Sequence, residues 1–145
     1  MTKLSESIFG SDANAPSELL QFLAESAYLW AYRGQPDKAI PIFEALTLLA
    51  PGDPIGYLGM AEAYVSQKKF AQADRLADQA SRTERIDRRT LAFAYKLRGK
   101  ALIQLNKPRD AEKALQKAIE MDAKGPEGLA AKQLMELATK MGLLK

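Results

Sequence analysis

Residues 23–51 read LAESAYLWAYRGQPDKAIPIFEALTLLAP, and the fold turns on this stretch. Small and apolar residues recur at helical spacing on both sides of Arg33-Gly34-Gln35-Pro36. Gly34 tolerates the positive φ of a helix stop, and Pro36 suits a first helical position, whose N–H has no partner anyway. Asp37 complements the positive end of the helix it opens. The spacing predicts two short helices folded back on one another. Leu19, Leu20, Leu23, Ala27 and Trp30 are the packing stripe of the first, running from about Glu18 to Tyr32 with Ser17 as N-cap. Ala39, Ile42, Phe43, Leu46 and Leu49 are that of the second. Pro41 removes one backbone bond there, but within about a turn of the start, where the cost is lowest.

The pattern then recurs. A shift of about 34 residues places Tyr57, Met60, Ala61, Tyr64, Ala73, Ala77 and Ala80 on the positions held by Leu23, Ser26, Ala27, Trp30, Ala39, Phe43 and Leu46. Asp53-Pro54 opens this second unit as N-cap and first residue. A third copy, Tyr95, Gly99, Leu102, Ala111, Leu115 and Ala118, aligns once about four extra residues are allowed near SRTERIDRR (81–89), in a longer helix or a longer loop. Asn106-Lys107-Pro108 is its turn. Helical periodicity asks only for apolar residues; a fixed order of small and aromatic ones marks a repeat. Arg98, where a Leu is usual, and Ala123, in place of a terminal Pro, depart from it.

The expected fold class is all-α, three helix–turn–helix repeats in a right-handed superhelical array. The boundaries are an N-terminal arm (1–16), the repeats (17–124; about 20–53, 54–87 and 92–124) and a C-terminal capping helix (125–145). In the arm, Met1, Leu4, Ile8 and Phe9 share one helical face before Gly10, Asp12, Asn14 and Pro16 break it. Such an arm covers a groove, pairs with a second copy, or frays. After Gly125-Pro126, Leu129, Leu134, Met135, Leu137 and Met141 supply the apolar face that closes the open end of a stacked array.

Composition excludes much chemistry. The 145 residues hold no Cys and no His, which removes disulfides, zinc sites of those ligands, Cys–His nucleophiles and Ser–His triads. The carboxylates are scattered or sit at helix starts, and Gly56 and Gly59 lack the surrounding pattern of a phosphate loop. No catalytic residue, metal site or cofactor emerges, and an enzyme is not expected. No apolar run has the length of a signal core or a membrane span, so a cytoplasmic protein is expected, without stable membrane insertion. Residues 1–60 carry three Lys/Arg against seven acids, and residues 61–145 eighteen against eleven. Such asymmetry marks a surface for acidic partners or, more often, charges that simply line the wet faces of helices. RTERIDRR lacks the interleaved aromatics of a single-strand binder, so nucleic acid is not an expected partner.

Over roughly residues 20–123 these motifs resemble the tetratricopeptide-repeat family, in which the first helix of each pair lines a concave surface. The resemblance implies inward positions at Gln21, Ala24, Tyr28, Ala31 and Tyr32, then Ile55, Leu58, Glu62, Val65 and Ser66, then Phe93, Lys96, Lys100, Ile103 and Gln104. Large apolar residues and tyrosines are frequent among them, as a surface for a peptide with hydrophobic anchors requires. The expected client-binding residues are Tyr28, Tyr32, Ile55, Leu58, Glu62, Val65, Phe93, Lys96, Lys100 and Ile103, with Lys96 and Lys100 pairing with client acids. Leu58→Glu is expected to abolish binding while helicity survives. The carboxylate clamp of some family members has Ala24, Tyr28, Gly59, Phe93 and Leu97 at its positions here, and is absent.

In layout, and in Phe43-Glu44-Ala45-Leu46, Leu48-Leu49 and Tyr57-Leu58-Gly59-Met60-Ala61, the chain is similar to the small chaperones of bacterial type III secretion. That resemblance implies a non-enzymatic holder of a translocator or needle subunit, often a homodimer through the N-terminal region. The alternative is a scaffold that assembles a larger complex through its convex or basic surface, where charge reversal at Arg85, Arg88 and Arg89 would matter.

Overall fold

The computed structural model describes residues 16–144. Seven helices make up the described residues: α1 (Ser17–Tyr32), α2 (Pro36–Leu49), α3 (Ile55–Ser66), α4 (Phe70–Ser81), α5 (Arg88–Gln104), α6 (Pro108–Met121) and α7 (Pro126–Lys140). Each packs on its successor. The odd-numbered helices also touch one another in sequence, α1 on α3, α3 on α5 and α5 on α7. They form one layer, with α2, α4 and α6 laid over it. The expected arm face of Met1, Leu4, Ile8 and Phe9 lies outside the described residues.

The turns show why the repeat holds its shape. Gly34, Lys68 and Asn106 occupy equivalent positions, and all three have positive φ, 76°, 61° and 58°. At each, the following residue donates its N–H back across the turn: Gln35 to the Trp30 carbonyl (3.0 Å), Lys69 to Tyr64 (2.8 Å) and Lys107 to Leu102 (2.9 Å). This bond satisfies a carbonyl that the helix end would otherwise orphan. Only the first turn uses the residue that enters this region without a steric penalty.

Helix starts were harder to anticipate. Ser17 is the first residue of α1 rather than its cap; Pro16 precedes it, and no side chain caps the helix. Pro54 rather than Asp53 holds the N-cap position of α3, although Asp53 Oδ1 accepts from the Ile55 N–H at 2.9 Å; Asp87 caps α5, accepting from Thr90 at 2.7 Å. The extra residues of the third unit enter the helix: α5 ends at Gln104, the equivalent of Ser66 in α3, but starts about a turn earlier, at Arg88.

The core divides into three clusters, each spanning neighbouring helices. Ala24, Ala27, Ala39, Phe43, Leu46 and Met60 join α1 to α3. Leu58, Ala61, Ala77, Ala80, Ala94 and Leu97 join α3 to α5, and Leu102, Ala111, Leu115, Ala118, Ala131 and Ala138 join α5 to α7. Such nearest-neighbour burial is the energetic signature of a repeat array. Phe43 fills the first unit only because Gly59 faces it, where a Cβ would run into its ring. Arg98 pays its way as a pair: its Nε donates to Asp74 Oδ1 at 2.8 Å and its guanidinium lies 3.4 Å from Asp78, tying α5 to α4.

The terminal helix closes the array with a different face from the one expected. Ala131, Ala138 and Leu144 are buried, with Leu134 and Met135 packed against them. Leu129, Leu137 and Met141 point to solvent instead. No helix among the described residues is long and apolar enough to cross a membrane.

Candidate functional site

The odd-numbered helices carry two hollows. The first, ≈ 490 Å³, has Tyr28 from α1, Ile55, Leu58 and Glu62 from α3, Phe93 from α5 and Glu127 from α7 in its lining. Asp53, Arg85 and Asp87 stand around it on the connecting segments, with Arg89 in the first turn of α5. The second, ≈ 290 Å³, is lined by Val65, Phe70, Lys100, Ile103 and Leu134, among others. A third hollow, ≈ 570 Å³, lies across α2, α3 and α4, where Glu44, Gln72, Arg75, Asp78 and Gln79 surround Tyr57, Met60, Tyr64 and Leu76.

The predicted residues separate into groups. Tyr28, Ile55, Leu58, Glu62 and Phe93 meet in the first hollow, and Val65, Lys100 and Ile103 in the second. Tyr32 is 93% exposed and lines neither. Leu58 is only 4% exposed and packs into the α3–α5 core, so most of its side chain supports the hollow from beneath. Leu58→Glu would drive a carboxylate into that core, and the expectation that helicity survives it is withdrawn. Of the five positions that a carboxylate clamp would use, Ala24, Gly59 and Leu97 are buried.

Charge is arranged unevenly on this surface. Lys96 Nζ donates to Glu127 Oε2 at 2.6 Å and lies 4.8 Å from the centre of the Phe93 ring, so it is committed within the chain. The expected pairing of Lys96 with a client acid is therefore replaced by an internal α5–α7 tie. Lys100 is exposed and, among the described residues, has no ion-pair partner. Burial raises the Glu62 carboxyl above its ordinary range, against the pull of Lys96 and Lys100 and with the help of Glu127. Burial and the charge of Glu62 push the Tyr28 phenol up to about 12, although 40% of the residue is exposed. Tyr28 is also fixed edge-on against Phe43, with ring centres 4.9 Å apart.

Glu127 and Leu134 were missed because α7 was read only as a cap. As the seventh helix of an alternating stack it falls in the same layer as α1, α3 and α5. That parity was visible in the sequence. Arg85 and Arg89, read from the sequence as part of a convex or basic surface, line this hollow instead, because the α4–α5 connection and the start of α5 bring them beside Tyr28 and Ile55. None of these groups forms a cluster of metal-ligating side chains among the described residues.

Comparison with known proteins decides the architecture. Residues 31–89 match the tetratricopeptide-repeat model. The described helices share the tetratricopeptide-repeat fold. The first such domain of Spaghetti (RPAP3), solved with the HSP90 peptide SRMEEVD, is 24% identical with a TM-score of 0.75, covering 88% of this chain and 96% of that one. The type III secretion translocator chaperone SycD of Yersinia enterocolitica is 18% identical with a TM-score of 0.74, covering 88% of each chain. Its alternative dimer form gives a TM-score of 0.76 over 90% of this chain and 98% of that one. Proteins of unlike roles thus share this repeat fold, which is a protein-interaction scaffold. No curated protein sequence matches the chain significantly.

Proposed function

We propose that this repeat protein is a cytoplasmic chaperone that holds an apolar segment of a client protein along its concave face, with no catalytic step. The observation that carries the proposal is the ≈ 490 Å³ hollow floored by Tyr28, Ile55, Leu58 and Phe93, prolonged on the same layer by Val65, Ile103 and Leu134. Partly exposed aromatic and branched side chains on a preformed concave wall are what a segment with hydrophobic anchors needs. The buried Ala24, Gly59 and Leu97 argue against a client held by its terminal carboxylate, the mode of the repeat clamp. The client we infer is a type III secretion substrate of the translocator or needle kind, in keeping with the likeness to SycD. Pairing of two copies through the N-terminal region belongs to the same proposal.

The test is retention of partners from native cytosol by the wild type, Tyr28→Ala and Arg75→Glu, side by side. Tyr28 lines the concave hollow, and the exposed Arg75 lines the one across α2, α3 and α4. One partner with long apolar segments, lost from Tyr28→Ala and kept by Arg75→Glu, is the expected result. Loss in Arg75→Glu alone would move binding to the other layer and favour the scaffold.

A further inference from the structure

The Glu62 carboxylate stands out among the groups of the concave face. It lines the same ≈ 490 Å³ hollow as Tyr28 and Phe93, and only part of the residue is exposed. Among the described residues it has neither an ion pair nor a side-chain hydrogen bond. Of the two lysines whose charge acts on it, Lys96 is taken by Glu127, and Lys100 does not come within ion-pair distance. A half-buried carboxylate without a donor costs free energy. Its raised protonation range is the electrostatic trace of that cost. Four carboxylates, Asp53, Glu62, Asp87 and Glu127, line the hollow against the two guanidinium groups of Arg85 and Arg89. Asp53 and Asp87 each accept a backbone N–H at a helix start, and Glu127 is occupied by Lys96. Among the described residues, Glu62 is left without a partner.

We propose that the client segment brings a lysine or arginine to Glu62, seated in the hollow that Tyr28 and Phe93 line and flanked by apolar anchors. This rests on the concave-groove function proposed above and reverses the sign of the recognition expected from Lys96 and Lys100. The site is chemically consistent: the cation supplies the missing donor, and the two rings accept a positive charge on their faces or cover the methylene stem. A neutral apolar residue at that point would leave the carboxylate buried and unpaired, so the pocket discriminates against it. A client acid placed at that point would be repelled by Glu62, whereas Arg85 and Arg89 could take an acid elsewhere on the hollow.

The test uses the full chain and a displayed library of random dodecapeptides, with wild type and Glu62→Gln selected in parallel. Circular dichroism checks that both are folded. Wild type is expected to enrich a Lys or Arg flanked by apolar residues, and Glu62→Gln to enrich the apolar residues alone. A synthetic peptide of the winning sequence should bind Glu62→Gln about tenfold more weakly or worse. Replacing its basic residue by norleucine should cost wild type a similar factor and Glu62→Gln almost nothing. Apolar motifs without a basic position would overturn the cation proposal and leave the groove standing. The same basic preference in both proteins would remove Glu62 from recognition. No enrichment by either protein would take down the groove along with it.

Discussion

Helix α5 carries charge on two sides, and the two sides differ in how it is treated. Toward α4, Arg98 meets both Asp74 and Asp78, and every charge in the seam has a partner. Toward the concave layer, Lys96 meets Glu127, while Glu62 across on α3 is left without one. Both clusters are partly shielded from water, so an unpaired charge is costly in either. A seam that only holds helices together has no reason to carry that cost. On the function proposed above, the difference is that between a seam that holds helices together and a face that receives a client.

The largest test of this contrast lies beneath the hollow. Leu58→Glu places an uncompensated carboxylate in the α3–α5 core and should cost about 3–5 kcal/mol, enough to unfold the domain at moderate temperature. Thermal melts followed by circular dichroism would show it. A melt within a few degrees of wild type would mean that Leu58 faces the groove rather than the core. Next comes the seam. Arg98→Ala strands Asp74 and Asp78 beside each other and should cost about 1–2 kcal/mol, less than for a fully buried pair because all three side chains keep some exposure. That corresponds to a fall in Tm of about 2–8 °C.

Smaller effects sharpen the picture. Lys68→Gly relieves the left-handed backbone of the second turn and should stabilise by about 0.5–1 kcal/mol, leaving Gly34→Ala to do the reverse. Chemical denaturation with unchanged slope would measure both. Glu62→Gln has the least effect on the free protein, and its sign is informative. Because the folded carboxyl is raised, ionised Glu62 subtracts stability at neutral pH, and that loss disappears as pH falls below the unfolded carboxylate value. The variant should melt slightly higher than wild type at pH 7, with the gain shrinking toward about pH 4. A lower melt at pH 7 would mean that Glu62 has a structural partner and that the two sides of α5 are alike.

How much of this the sequence disclosed follows from what each feature depends on. The repeat frame rests on local spacing, and Ala27, Ala39, Phe43, Ala61, Ala111 and Leu115 are buried where that spacing puts them. The turns at Gly34 and Asn106 carry their own residue signals. Lys68 does not, and only the identical hydrogen bond to Tyr64 reveals its equivalence. That Tyr28, Ile55 and Phe93 share one face was legible because a helical register fixes it. The pairing of Lys96 with Glu127 spans 31 positions and depends on where α7 docks, which no local pattern encodes. Arg98 read as a departure for the same reason, its partners lying 24 and 20 positions back on α4.

The most direct measurement is amide hydrogen exchange of the full chain with and without the retained client. Client held on the concave face should slow exchange in α1, α3 and α5, centred on Tyr28, Ile55 to Val65 and Phe93 to Ile103, and leave α2, α4 and α6 nearly unchanged. Protection concentrated in α2, α4 and α6, with the odd-numbered helices exchanging as before, would contradict a concave-face chaperone.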